Sequence, residues 1–136
     1  MTRTPLLDTH AWVWWVEHDP RLPRAAFDAL EQLPADSRPY LCEISLWEVA
    51  MLVERRRLVL GIPLREWLDA TTNPKSVQLL SITPAIAAEV AALPDSFHRD
   101  PADRIIVAAS RVLQLPLVTY DRRITRSRLA ARWTAR

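Results

Sequence analysis

Five carboxylates stand at positions from which they could act together in catalysis. Asp8 and Asp121 each follow a short apolar segment, and Glu48 lies in the first turn of a predicted helix. Asp100 and Asp103 open another predicted helix and, three residues apart, share one of its faces. If these side chains converge, they repel one another unless protons or cations neutralise them. Mg²⁺ prefers oxygen ligands and keeps several waters, so the five acids predict a divalent-cation site.

A carboxylate site with open water positions suits the hydrolysis of a phosphodiester. The metal lowers the pKa of a bound water, orients the phosphate and stabilises the leaving oxygen, so no protein nucleophile is required. Arginines cluster at residues 55–57 and 122–136, and a guanidinium makes paired hydrogen bonds to phosphate. The net charge of +2 alone does not indicate a nucleic-acid surface. The acidic pocket and the basic clusters together indicate a metal-dependent nuclease.

Each acid taken singly also has a structural interpretation. Glu48 follows a serine by three residues, as the acid of a capping box does. Asp100 precedes a proline and fits a helix N-cap, with Asp103 complementing the helix dipole. Asp8 and Asp121 fit turn residues. The nuclease hypothesis therefore depends on the joint pattern, which the fold must assemble from distant segments.

Short apolar segments alternate with helical patterns and predict the elements that position these acids. The predicted strands are 5–7, 40–42, 77–82 and 115–119, and the predicted helices are 9–16, 23–33, 45–57, 63–72, 85–93 and 102–113. This alternation predicts an α/β fold with a parallel sheet. Ligands bind beyond the carboxyl ends of such strands, which is where Asp8 and Asp121 fall. No repeat or linker divides the 136 residues, so we predict one domain, 1–136.

Composition excludes several other classes of site. A single glycine argues against a glycine-rich phosphate loop or a dinucleotide fingerprint. The single cysteine, Cys42, cannot form an internal disulfide or an all-cysteine zinc site, and we expect it to be a small buried residue. No apolar run is long enough to span a bilayer and no signal peptide is evident, so we expect a cytoplasmic protein.

Four sequence blocks carry a resemblance to a known family. They are residues 6–10 (LLDTH), 45–50 (SLWEVA), 98–106 (HRDPADRII) and 117–121 (LVTYD). In this order they resemble the PIN-domain family, and more narrowly the VapC-type ribonuclease toxins of toxin–antitoxin systems. The resemblance implies a PIN-like three-layer fold in which helices flank a short central parallel sheet. It also implies that the single predicted domain is a nuclease domain.

The same resemblance implies a catalytic site and its partners. The implied catalytic residues are Asp8, Glu48, Asp103 and Asp121, which together with Asp100 would hold Mg²⁺ or Mn²⁺. The implied activity is an endoribonuclease that hydrolyses RNA phosphodiesters with a metal-activated water, as the toxin of a type II pair. The implied partners are RNA, a small cognate antitoxin protein and a second copy of the chain in a homodimer.

Two parts of the sequence depart from the family pattern. Residues 55–58 read RRRL where related toxins often have a turn that contains lysine and glycine. The C-terminal segment carries more arginine than the pattern requires. Both departures affect substrate choice and partner contacts rather than the acidic residues.

Two other functions fit the residues. A non-catalytic RNA- or partner-binding PIN-like module would use the acids as helix caps. A phosphoryl-transfer domain would use Asp8 as a phosphate acceptor, but such domains need a lysine after a late strand, and Lys75 is poorly placed. Loss of activity without loss of folding on Asp8→Asn or Asp103→Asn distinguishes the nuclease from the binding module.

Histidine and tryptophan side chains complete the set of candidates. His10 and His98 could form a transition-metal site with a carboxylate, but we favour His98 orienting a carboxylate and His10 packing locally. Trp12, Trp14 and Trp15 would share one helix, and three such positions cannot all face the core. We expect most tryptophans to be core or dimer-interface residues, and the exposed member to contact a dimer partner or antitoxin.

Overall fold

The computed structural model describes residues 4–135 and confirms the predicted α/β fold. Four strands form one parallel sheet in the order β3-β2-β1-β4. They are β1 (Leu6–Leu7), β2 (Tyr40–Cys42), β3 (Gln78–Leu80) and β4 (Leu117–Val118). A parallel bridge from Arg132 to Leu117 extends the sheet beside β4. Arg136, the last arginine of the C-terminal cluster, lies outside the described residues.

Helices connect these strands and cover both faces of the sheet. They are α1 (Thr9–Val16), α2 (Arg24–Glu31), α3 (Ile44–Glu54), α4 (Leu64–Thr71), α5 (Pro84–Ala92), α6 (Pro101–Leu113) and α7 (Arg122–Ser127). The first six agree with the predicted helices to within a few residues. The sequence pattern predicts only a basic tail where α7 lies, because this short helix buries a single side chain, Ile124. No helix among the described residues is long and apolar enough to cross a membrane.

The sheet separates two apolar cores, because successive side chains of a strand point to opposite faces. Leu7 packs with the residues of α1 to α4, whereas its neighbour Leu6 packs with those of α5 and α6. On the first side the indoles of Trp12 and Trp67 meet edge to face, 5.0 Å apart. Cys42 is buried on the second side, as predicted. Helices on both faces of a central sheet give the three layers that the resemblance implies.

Strand register fixes the edge of the sheet where the acids gather. Leu7 pairs with Val118, so β1 and β4 end level with each other. The backbone N–H of Asp8 donates to the Val118 carbonyl (3.1 Å), which holds the two chain exits side by side. Asp8 and Thr119 therefore leave adjacent strands at one edge. This edge is where the sequence pattern places a ligand site.

The loop before α6 is held by a buried arginine. The Arg104 guanidinium donates to the carbonyls of Phe97 (3.1 Å), His98 (3.2 Å) and Val90 (3.4 Å). It also lies over the Phe97 ring, 5.8 Å from its centroid. One side chain of α6 thus fixes the loop that leads into Asp100.

We predict that Arg104→Met destabilises the fold by about 3 kcal/mol, because three buried carbonyls lose a charged donor. Equilibrium urea unfolding measures this change. Arg99→Met is the matched control, because Arg99 is exposed and pairs with the exposed Asp95. We expect it to change stability by about 0.5 kcal/mol or less. Equal effects of the two substitutions would show that the Arg104 hydrogen bonds contribute no stability.

Candidate metal centre

Three of the five predicted acids converge closely. One carboxylate oxygen from each of Glu48, Asp100 and Asp103 lies within 4.8 Å of the other two. We call these residues the acidic trio. Glu48 comes from the first turns of α3, and the two aspartates come from the start of α6, which packs against α3. An all-oxygen donor set of this kind matches the ligand preference of Mg²⁺ and Mn²⁺.

Glu48 is buried without full hydrogen bonding. Helix α3 begins at Ile44 after Glu43, and no side chain caps its N-terminus, so the capping-box interpretation of Glu48 is wrong. The Thr9 hydroxyl bonds to the Glu48 carboxylate, but its Oε1 atom has no partner among the described residues. Burial raises the pKa of Glu48, and the negative charge of Asp100 adds to the increase. A buried carboxylate oxygen without a donor fits a metal ligand.

Asp100 caps α6 and also belongs to the trio. Its Oδ1 atom accepts a hydrogen bond from the backbone N–H of Asp103 (2.9 Å), which confirms the predicted N-cap. Burial, followed by the charges of Asp100 and Glu48, raises the pKa of Asp103 to about 8. The Asp103 carboxyl therefore holds a proton near neutral pH when no cation is bound. The structural and functional interpretations of Asp100 are compatible.

Asp8 lies beside the trio and is almost fully buried. Its Oδ1 atom accepts from the backbone N–H of Ala11 (2.7 Å), so Asp8 is the N-cap of α1. Burial raises the pKa of Asp8 to about 6, although hydrogen bonds from Thr119 and Ala11 oppose the increase. The charge of Asp8 also raises the pKa of Asp103. Asp8 thus acts on the trio electrostatically without belonging to its closest set of oxygens.

Asp121 lies at the more exposed edge of the site. Its Oδ1 atom caps α7 through the Arg123 backbone N–H (2.8 Å), and its Oδ2 atom pairs with the Arg123 guanidinium (3.1 Å). Burial opposes ionisation, but the bonds from Arg123 outweigh it and hold the pKa of Asp121 below its usual value. At neutral pH Asp121 is therefore ionised while Asp103 holds a proton. Asp8 and Asp121, which follow β1 and β4, have opposite shifts, because the pKa of Asp8 is raised and that of Asp121 is lowered.

The two histidines play different parts. His98 Nε2 lies 3.2 Å from Asp103 Oδ2 but makes no hydrogen bond there. Burial, followed by the charge of Arg123, lowers the pKa of His98, so the imidazole is neutral at pH 7. His10 is exposed, and its ring lies 6.2 Å from that of Trp14, in keeping with local packing. The trio itself contains no histidine.

A groove of about 420 Å³ passes the acidic trio. Glu48 and Asp100 line one part of it, and residues of α1, the end of α3 and the segment after α3 form its walls. Four arginines also line it: Arg21, Arg55, Arg57 and Arg123. We call this feature the arginine groove. Arg55, Arg57 and Arg123 belong to the two basic clusters evident in the sequence, whereas Arg21 belongs to neither.

Comparison with known proteins agrees with this geometry. The family model described as PIN domain matches residues 6–128. Ribonuclease VapC22 of Mycobacterium tuberculosis (strain ATCC 25618 / H37Rv) is 42% identical over 121 residues, which cover 89% of each protein. A solved toxin-antitoxin complex from Klebsiella pneumoniae matches 88% of each chain with a TM-score of 0.61 at 20% identity. This last likeness shows the fold.

We predict that the metal-free protein loses stability as the pH rises from about 4 to about 8. Asp103 has a pKa of about 8 in the fold and about 3.8 when unfolded, so the folded state binds more protons across that window. Urea unfolding in chelator should show the decline. Asp103→Asn should remove most of the slope between about pH 6 and 8, above the Asp8 titration. Parallel pH profiles for the two proteins would contradict a raised pKa at Asp103.

Proposed function

The chain belongs to the PIN-domain family, and on this basis we propose that it is a metal-dependent endoribonuclease, the toxin of a type II toxin–antitoxin pair. The observation that carries the proposal is the acidic trio, in which one carboxylate oxygen from each residue lies within 4.8 Å of the other two. The buried Oε1 atom of Glu48 also has no hydrogen-bond partner among the described residues. The 42% identity to a protein named ribonuclease VapC22 supports the same conclusion.

We propose that Glu48, Asp100 and Asp103 hold Mg²⁺ or Mn²⁺. The nearby carboxylates of Asp8 and Asp121 add negative charge that attracts the cation. The fit is chemical. The trio offers hard oxygen donors, a buried Glu48 oxygen has no hydrogen-bond partner among the described residues, and burial together with the neighbouring acids raises the pKa of Asp103. A bound cation would supply an activated water and neutralise charge on the phosphate. All five predicted site residues are retained in this proposal.

The chain's own residues bind and orient the substrate. Hydrogen bonds from Ala11 and Thr119 fix the Asp8 carboxylate, whose charge acts on Asp103. The Arg123 guanidinium holds Asp121 and also lines the arginine groove, so it can contact a phosphate beside the acids. The other groove arginines neutralise phosphates farther along the strand.

An antitoxin and a second copy of the chain are the proposed protein partners. The solved structure with the same fold is described as a toxin-antitoxin complex, which supports an antitoxin partner here. Exposed apolar side chains on α3 and the following segment, Trp47, Val59 and Ile62, offer contact area for a partner. Cleavage of cellular RNA would place the activity in the cytoplasm.

We predict that the purified protein, free of antitoxin, cleaves cellular RNA with Mg²⁺ or Mn²⁺ and is inactive with chelator. Asp103→Asn should reduce the rate at least about 100-fold, because the cation contributes several kcal/mol to transition-state stabilisation. Gel analysis of the fragments measures cleavage. Asp95→Asn is the matched control, since its carboxylate is exposed on the loop before α6. Cleavage by Asp103→Asn at the wild-type rate would overturn the proposal and favour a non-catalytic binding module.

Metal binding has a readout independent of catalysis. We predict that Mn²⁺ or Mg²⁺ stabilises the wild-type fold, by about 2.7 kcal/mol at one hundred times the dissociation constant. Thermal unfolding with and without metal measures the shift. Glu48→Gln should lose most of it, whereas Glu43→Gln, at an exposed position just before α3, should retain it. Equal metal responses in the two variants would exclude Glu48 as a ligand.

A further inference from the structure

A row of planar side chains begins on one wall of the arginine groove, which His10, Trp14 and Arg21 line, and continues beyond that lining to Tyr120 and Arg132. The Trp14 indole projects from α1, and its centroid is 6.1 Å from that of Tyr120, with ring planes 32° apart. The Arg21 guanidinium lies over Trp14, 5.1 Å from its centroid, and Arg132 lies over Tyr120 at 5.3 Å. His10 approaches Trp14 from one turn earlier on α1. Planar groups that alternate in this way form a surface suited to stacking.

Trp14 differs from the other tryptophans of its helix. Trp12 is fully buried and Trp15 is 6% exposed, because both face the core. Trp14 is half-buried and shares the groove with Glu48 and Asp100. The expectation that one of the three tryptophans stays partly exposed is therefore confirmed. Its exposed surface faces the same groove as the acidic trio.

Charge along the groove identifies the kind of ligand. The arginines at 55, 57 and 123 line it together with Trp14, while the acids occupy the part where a cation would sit. Phosphates of a nucleic acid fit the arginines, and its bases fit an aromatic surface. The bases of a duplex already stack on one another, so only an unpaired strand can present one to Trp14.

Arg21 shows that a flat group fits over the indole. Its guanidinium is planar and already occupies that position. The side chain is 69% exposed and is otherwise held by an ion pair with Asp19, which is a weak restraint at a surface. An incoming base can displace Arg21 from the ring, and Arg21 can then stack on the other side of the base or contact a phosphate.

We propose that Trp14 is the base-stacking residue of the arginine groove and gives the protein its preference for single-stranded over double-stranded RNA. The stacked base belongs to a nucleotide near the phosphodiester that is cleaved at the acidic trio. This assignment rests on the proposed nuclease function for its substrate class. It assigns the exposed surface of Trp14 to RNA rather than to a protein partner.

The test is direct binding without cleavage. A fluorescently labelled single-stranded RNA oligonucleotide of mixed sequence, and the same strand annealed to its complement, are titrated in chelator at low salt. We expect Trp14→Leu to weaken single-strand binding about tenfold, since one stacked base contributes about 1–3 kcal/mol, and to leave duplex binding unchanged. Trp14→Phe, which keeps an aromatic face, should retain most of the affinity. Leu79→Ala, which removes an exposed apolar side chain on β3 outside the groove, should match the wild type.

Each outcome decides the proposal. Equal weakening for single and double strands, equal losses in Trp14→Leu and Trp14→Phe, or no loss at all would overturn it. Loss of antitoxin binding with unchanged RNA affinity would assign Trp14 to the protein partner instead. Because binding is measured in chelator, these results do not depend on cleavage. Failure of the metal-dependent cleavage assay would therefore refute the nuclease function separately.

Discussion

Repulsion between buried carboxylates is the constraint on which the rest of this structure depends. The acidic trio gathers negative groups at one edge of the sheet, with Asp8 and Asp121 close enough to affect their ionisation. Without a cation, burial and then the charges of the neighbouring acids raise the pKa of Asp103, and burial raises the pKa of Asp8. Level strand ends, the α3–α6 contact and the loop that Arg104 holds keep these acids in place. Much of the architecture thus holds together groups that would separate in water.

Helix capping and the candidate chemistry use the same side chains. Asp8, Asp100 and Asp121 are the N-caps of α1, α6 and α7, and each takes a backbone N–H onto one carboxylate oxygen. Three positive helix ends therefore point at one place, which favours negative charge there. A cap needs one carboxylate oxygen and leaves the second for another partner, which for Asp121 is the Arg123 guanidinium. The structural and catalytic interpretations of these residues are consequently complementary, and the loss of one such acid affects folding and chemistry together.

The sequence predicts the parts of this site that depend on local pattern. Proline at the first turn marks the start of α6, and alternating apolar segments mark strands that end beside Asp8 and Asp121. The position of Glu48 is not a local property. The serine three residues before it matches a capping box, but packing of α3 draws the carboxylate away from the helix N-terminus and buries it. Long-range packing also brings Arg21 and Trp14 into the groove, and no spacing rule relates them to arginines 55 and 57.

The order of the strands has a consequence for synthesis on the ribosome. The first strand of the chain lies between β2 and β4, so one side of β1 stays open until residues 117–118 have emerged. The acidic trio is also completed late, because Glu48 is synthesised long before Asp100 and Asp103. A nascent chain can form the part of the sheet made of β1, β2 and β3 before the acidic site is complete. The order of the elements along the chain therefore prevents the proposed activity until α6 and β4 have been translated.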